Sequence, residues 1–110
     1  MPIRISTNPL KVSEKYYLLF YHRKFVKYRY AQDAILIDTD SLLPQHITKL
    51  PLFEARNLHG RNPVMLYFTN CVLQDNKIFV FYGEADSCSS YLILDHDRFV
   101  EHIINKGTKL

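Results

Sequence analysis

The chain has 110 residues, a net charge of +3 and 47% hydrophobic residues, which fits one small domain or part of a larger one and excludes a disordered chain. The charge is too small to indicate nucleic-acid binding by itself. The first residues lack the apolar core of a signal peptide, and no apolar run approaches the roughly 20 residues of a membrane helix. We therefore expect a cytoplasmic protein that does not contact membranes.

Metal and disulfide chemistry are not indicated by the spacing of the candidate ligands. Cys71 and Cys88 lack metal-ligand spacing, and the five His residues form no His-x-x-x-His pattern. We expect a reduced cysteine pair rather than a disulfide. No metal site is predicted.

The first half of the chain alternates between aromatic strand-like runs and polar residues. Residues 1–14 predict an extended arm or loop. Residues 15–22 predict a strand that is covered on both faces, because its apolar side chains do not alternate with polar ones. A turn is predicted at residues 23–24. Two further strands are then predicted, over residues 25–30 and 33–38.

The middle of the chain carries more turn formers. Residues 38–51 predict a connection, which allows a short helical turn near residues 43–47, and residues 53–63 predict irregular structure. Asp75-Asn76 is typical of a tight hairpin. Strands are predicted on either side of it and once more before the C-terminal segment, over residues 64–73, 77–82 and 89–94.

The C-terminal segment predicts the one helix of the chain, over residues 96–106. Asp95 or Asp97 can cap its first amides. Its apolar side chains recur at helical spacing and form one stripe. Gly107 lies where a helix end favours a residue with positive φ.

An internal repeat organises these elements. Phe20-Tyr21-His22 is followed by the apolar run 34–38, and Phe81-Tyr82-Gly83 is followed by the similar run 91–95, about sixty residues later. A period of this order, with three or four short strands in each unit, is typical of propeller blades. The alternative is two unrelated aromatic hairpins in a small sandwich.

Several motifs resemble glycoside hydrolase family 130, the mannoside phosphorylases and related hydrolases. Residues 82–87, Tyr-Gly-Glu-Ala-Asp-Ser, resemble the family's Tyr-Gly-x-Ala-Asp-Thr motif, and residues 17–22 resemble its strand ending in Tyr-His-Gly. Tyr30 stands where the family has a Tyr before its strand ending in Leu-Asp. The resemblance spans residues 15–106 and corresponds to about the C-terminal third of a family member.

The resemblance implies a mainly β fold: about two blades of a partial five-bladed β-propeller with one C-terminal helix. The whole chain, residues 1–110, would form a single partial propeller domain. Blade A would span about residues 15–51, blade B about residues 52–95, and a closing helix residues 96–106.

The resemblance also implies roles for three residues. His22 would bind phosphate, Asp86 would bind mannosyl hydroxyls, and Tyr30 would lie in the same substrate site, with His22 and Asp86 at the same end of the blades. In the family, the catalytic Asp and the phosphate-binding Arg residues lie in earlier blades, so no catalytic residue is predicted in this chain. No cofactor is predicted, although inorganic phosphate could be a co-substrate. Arg23, in place of the family's Gly, and Glu84, in place of an Ala, depart from the motifs and leave the ligand specificity open.

Competing interpretations follow from the same residues. Glu84 and Asp86 do not fit the pair of groups that glycoside cleavage requires, because an i, i+2 pair on an extended segment lies on one side of a substrate and the reaction needs groups on opposite sides. Basic and aromatic residues alternate over 23–30, but on opposite faces, which favours a solvated surface over nucleic-acid binding. Three hypotheses remain: a truncated, inactive mannoside-binding piece; an oligomeric glycosidase or phosphorylase with a rebuilt site; and a carbohydrate-binding or scaffold protein. The expected partners are a β-mannoside and either further copies of the chain or a partner chain that carries the missing blades.

Overall fold

The computed structural model describes the backbone of residues 3–26, 29–48, 53–54, 66–84 and 88–110. In this part of the chain the fold is mainly β, as predicted. The elements are β1 (Ile3–Ile5), β2 (Leu10–Lys11), β3 (Tyr16–Val26), β4 (Arg29–Asp38), β5 (Pro44–Ile47), β6 (Phe53–Glu54), β7 (Leu66–Gln74), β8 (Lys77–Glu84), β9 (Cys88–Asp95), α1 (His96–Lys106) and β10 (Thr108–Lys109). None of the described helical segments is long and apolar enough to cross a membrane.

The strands form two antiparallel sheets. Sheet 1 has the order β1-β3-β4-β5-β10, with β2 also paired to β3 and β6 also paired to β4. Sheet 2 has the order β7-β8-β9. The two repeat units of the sequence correspond to two long hairpins, β3–β4 in sheet 1 and β8–β9 in sheet 2.

The first hairpin is longer than predicted, and the predicted turn at residues 23–24 is wrong. Arg23 pairs with Ala31, Lys24 pairs with Tyr30, and the ladder continues to the pair of Val26 with residue 29. The strand predicted over 25–30 is therefore wrong as a single element, because its first two residues belong to β3 and its last two to β4, whereas the strand predicted over 33–38 is part of β4. Two charged residues do not interrupt a backbone ladder, because turns are specified by Gly, Pro, Asn and Asp.

The short helical turn that the sequence allowed near residues 43–47 is not formed, because Pro44–Ile47 is strand β5. The Asp38 carboxylate accepts hydrogen bonds from the backbone N–H groups of Asp40 and Ser41 at 2.8 and 2.9 Å. Leu42 follows with a φ of 60°. This tight turn reverses the chain at once and returns it along β4 as a strand.

The N-terminal arm is extended and belongs to sheet 1, where β1 and β2 both pair with β3. Between them, the Asn8 side chain connects sheet 1 to sheet 2. Its amide donates to the carbonyl of Cys71 at 3.2 Å, and its oxygen accepts from the N–H of Cys71 at 3.1 Å. Asn8 thus satisfies both backbone groups of Cys71 as a neighbouring strand would.

The core lies between the two sheets. Sheet 1 contributes the side chains that alternate inward along β3 and β4, and sheet 2 contributes those along β7 and β8. The buried members are Val12, Tyr16, Leu18, Phe20, Ala34, Leu36, Phe68, Cys71, Ile78, Val80 and Ile103. Phe20 is fully buried, and its ring contacts Phe68 of sheet 2 edge-on and Phe99 of α1 by stacking, with ring centroids 5.1 and 5.8 Å apart.

The hairpin turn and the helix are confirmed where they were predicted. Asp75 and Asn76 have φ of 52° and 61° between the paired residues Gln74 and Lys77, as a two-residue turn of the primed type requires. Helix α1 spans His96–Lys106, and the Asp95 side chain caps it by accepting from the N–H of Arg98.

The positive φ predicted for Gly107 is wrong, because its φ is −81° and its backbone is extended. Glycine is required there for a different reason. A Cβ at this position would collide with the carbonyl oxygens of Ile47 in β5 and Ile103 in α1. The end of the helix therefore lies directly against the backbone of β5 before β10 joins sheet 1.

Candidate functional site

Strands β3 and β8 start at the same end of the two sheets. At the start of β3, the N–H of Val12 bonds to the carbonyl of Tyr16 at 3.1 Å. The ring Nε2 of His96 donates to the carbonyl of Val12 at 2.6 Å. His96 directly follows Asp95, the register partner of Lys77 at the start of β8. These contacts tie the two strand starts together.

The later parts of the same strands also lie together. Phe20 contacts Phe68, and Phe68 pairs in register with Tyr82. Two residues further along each strand are His22 in β3 and Glu84 at the end of β8. Since both strands run in the same direction, His22 and the end of β8 lie at one end of the two sheets, which we name the site end.

A hydrogen-bonded cluster of Ser6, His22 and Gln32 lies at the site end. His22 and Gln32 are register partners on adjacent strands. The Ser6 hydroxyl lies 2.8 Å from His22 Nδ1 and donates to Gln32 Oε1 at 2.8 Å. A hydroxyl has one proton, so Nδ1 must carry the proton it shares with Ser6. The ring of His22 is thereby fixed in orientation and in the tautomer of its neutral form.

Strand β4 carries two adjacent buried polar side chains beside the cluster. Gln32 is fully buried, and Asp33 is 1% exposed. The hydroxyl of Thr48 donates to the Asp33 carboxylate at 3.2 Å and accepts from the N–H of Ala34 at 3.3 Å. Buried polar groups with complete hydrogen bonding fix a single local structure, so the strands that carry His22 are held rigidly.

Neither the Cys71 thiol nor a metal centre is available for chemistry among the side chains that the structure describes. Cys71 is a buried free cysteine, and burial raises the pKa of its thiol, which disfavours the reactive thiolate. Within the described ranges, no three His, Cys, Asp or Glu side chains are grouped so that they could hold a metal ion.

The three predicted site residues differ in what the structure reports. His22 lies at the site end with its Nδ1 bonded to Ser6. Tyr30 lies in β4 as the register partner of Lys24, but its side chain is outside the described part of the chain. Asp86 lies outside the described residues altogether. Their binding roles therefore stay predictions.

The sequence analysis did not identify Ser6 and Gln32. The sequence did contain a signal for Gln32, because Gln32 lies on the same face of β4 as the apolar Ala34 and Leu36. A polar residue at a buried position is informative. Ser6 had no such signal, since only the pairing of β1 with β3 brings it to His22.

The sequence matches no family model and, at a significant level, no curated protein. The fold is similar to a solved structure, the β-1,2-mannobiose phosphorylase from Listeria innocua in complex with β-1,2-mannobiose, with a TM-score of 0.80 and 19% sequence identity. The similarity covers 93% of this chain and 30% of the phosphorylase chain. The chain thus has the fold of a partial propeller and spans less than a third of that enzyme.

Proposed function

We propose that this chain is a mannoside phosphorylase-like module of about two blades, which holds part of a sugar and phosphate site and does not cleave glycosides by itself. The observation that carries the proposal is the fold similarity over nearly the whole chain to an enzyme whose structure contains β-1,2-mannobiose. The motifs at residues 17–22 and 82–87, which resemble family 130, support the same proposal.

The site end would contact the anion through His22 and the sugar hydroxyls through Asp86. His22 is oriented by Ser6 and lies at the same end as the last residue of β8, from which Asp86 is two residues away in the sequence. A phosphate oxygen that accepts a hydrogen bond from His22 Nε2 requires the doubly protonated ring, because Nδ1 already carries its proton toward Ser6. Charge-assisted hydrogen bonds of this kind are stronger than neutral ones.

The absence of activity in the isolated chain follows from what glycoside cleavage requires. The reaction needs a proton donor and a nucleophile on opposite sides of the anomeric carbon. By the family resemblance, the donor Asp and the Arg residues that hold phosphate belong to blades that have no counterpart among residues 15–106. The chain would therefore bind ligand weakly and contribute to turnover only beside the missing groups.

The test combines binding and turnover. We expect amide shifts near His22 when the folded chain is titrated separately with inorganic phosphate and with β-1,2-mannobiose, and no mannose 1-phosphate when both are present. His22→Gln should weaken phosphate binding by about tenfold or more, the value of one hydrogen bond to a charged group. The matched control is His102→Gln, because His102 is exposed on α1 and should leave both titrations unchanged.

Two results would contradict the proposal. Phosphorolysis of a β-mannoside by the purified chain, lost in Asp86→Ala, would show that the chain is an enzyme with a rebuilt site. A folded chain that binds neither phosphate nor the disaccharide at millimolar concentration would exclude the retained site and leave a scaffold role.

A further inference from the structure

The outer face of sheet 2, which is the face turned away from the core, is apolar across all three strands. The residues of β7, β8 and β9 that alternate inward pack against sheet 1, and those that alternate outward form two rows in register, which are apolar except for the amide of Asn70 at the β7 edge. The rows are Val72–Phe79–Ile93 and Asn70–Phe81–Tyr91. We name this set the outer patch.

The outer patch is open to solvent. Tyr91 is 55% exposed, Ile93 51%, Val72 45% and Phe81 38%. The rings of Phe79 and Phe81 both lie close to that of Tyr91, with centroids 6.4 and 5.9 Å apart, so the aromatic side chains form one continuous surface. Contiguous exposed apolar surface of this kind marks interaction sites.

We propose that the outer patch is the contact surface of a symmetric homodimer of this chain. The charge pattern of the patch fits this arrangement. No charged side chain lies in either row, and the next row carries Lys77 paired with Asp95 at 3.7 Å. A two-fold axis that lies in the interface plane, perpendicular to the strands, places the rows of two copies against each other. The Lys77–Asp95 pairs of the two copies then lie at opposite margins of the interface, so like charges do not meet.

The exposed apolar area of the outer patch is also close to what a small dimer interface needs. Phe81 and Tyr91 together expose about 200 Å² if a whole aromatic side chain presents about 200 Å². Val72 and Ile93 add on the order of 100 Å² at about 30 Å² per methyl or methylene group. Two copies would then bury about 600 Å² of apolar surface, which at the roughly 65% apolar content of homodimer interfaces corresponds to about 900 Å² in total. That is close to the roughly 1,000 Å² of a small specific interface, so the dimer is weak.

The test is sedimentation velocity of the wild-type chain from about 1 to about 100 μM, the range in which such an interface dissociates. We expect a concentration-dependent shift from the 13.0 kDa monomer to a dimer. Ile93→Lys should raise the dissociation constant at least tenfold, because it buries an unpaired charge. Ile104→Lys is the matched control, since Ile104 is 38% exposed on α1 and the same change there should leave the constant within about twofold.

A second variant keeps the test decisive. Val72→Lys changes the opposite edge strand, and it replaces Ile93→Lys if circular dichroism shows that the latter is unfolded. A wild-type chain that stays monomeric over the whole range, or a dimer that Ile93→Lys and Val72→Lys leave intact, would overturn the proposal. Assemblies that grow beyond the dimer would overturn the symmetric arrangement, because a closed two-fold contact stops at two copies.

Discussion

Replacing Phe20 by Ala should remove a large part of the stability of this fold. Phe20 is fully buried and contacts sheet 2 through Phe68 and the helix through Phe99. A buried Phe→Ala change costs about 3–5 kcal/mol through lost transfer free energy and the cavity that remains. Because a small domain is stable by only about 5–15 kcal/mol, we expect the free energy of unfolding to fall by about 4 kcal/mol, near the middle of that range.

The assay is urea unfolding followed by circular dichroism, at a protein concentration low enough for the chain to be monomeric. With a slope of about 2 kcal/mol per molar urea, the expected loss shifts the midpoint by about 2 M. Phe81→Ala is the matched control, since it deletes the same ring at a position that is 38% exposed on the outer face of sheet 2. We expect it to cost about 1 kcal/mol, in line with the partial burial.

The two outcomes separate a packed two-sheet core from two weakly coupled sheets. If Phe20→Ala costs no more than Phe81→Ala, the contact of Phe20 with Phe68 and Phe99 does not hold the elements together. A change in slope rather than midpoint would mean that the variant no longer unfolds in a two-state manner or that the compactness of one of its states has changed, so the free energy could not be read from the midpoint.

Two further changes test the closing segment and the buried histidine. Gly107→Ala should destabilise the chain by about 1–3 kcal/mol, as overpacking does, because the new Cβ meets the carbonyls of Ile47 and Ile103. Its control is Lys106→Ala, which shortens an exposed neighbour and should change the free energy of unfolding by no more than about 0.5 kcal/mol in the same urea experiment. Burial, and then the charges of Lys109 and Lys15, lower the pKa of His46 in the folded chain. The unfolded chain therefore binds more protons at His46 than the folded chain does. The free energy of unfolding should fall as the pH drops below 6.5, the ordinary pKa of histidine, by at most about 1.4 kcal/mol per pH unit. His46→Leu should reduce this dependence between pH 7.5 and 5.5, and His102→Leu should not; an equal pH dependence in both variants would contradict the assignment.

Elements that are specified by neighbouring residues, such as tight turns, helix caps and apolar strands, were predicted from the sequence. The Asp75-Asn76 hairpin and the helix after Asp95 depend on turn geometry and capping, which neighbouring residues specify. The apolar run from Tyr16 to Tyr21 predicted a strand with both faces covered, and the structure buries Leu18 and Phe20 on one face and Tyr21 on the other. These features required no knowledge of what the elements pack against.

The failures concern interactions between distant segments. Arg23-Lys24 was interpreted as a turn, yet both residues pair with β4. Gly107 was assigned a conformational role, whereas its small size matters because β5 lies against it. The polar cluster needed Ser6, His22 and Gln32 to meet across three strands, and nothing in the sequence near Ser6 indicates that contact.

The two repeat units diverge directly after a corresponding Asp, and this divergence explains why one face of the fold stays open. Asp38 ends β4 and Asp95 ends β9, and backbone N–H groups that follow, chiefly those of Ser41 and Arg98, lower the pKa of these two carboxyls.

After Asp38 the chain turns back as β5 and adds a strand to sheet 1, whereas after Asp95 it enters α1. That helix packs through Phe99 and the buried Ile103 on the side of the core, and β10 then joins sheet 1 beside β5. The last elements therefore fasten sheet 2 to sheet 1 and leave the outer patch uncovered by them. The corresponding Asp is thus followed by a strand in one unit and by a helix in the other. The helix covers the core, and the opposite face of sheet 2 stays exposed as the surface through which we propose that a second copy binds.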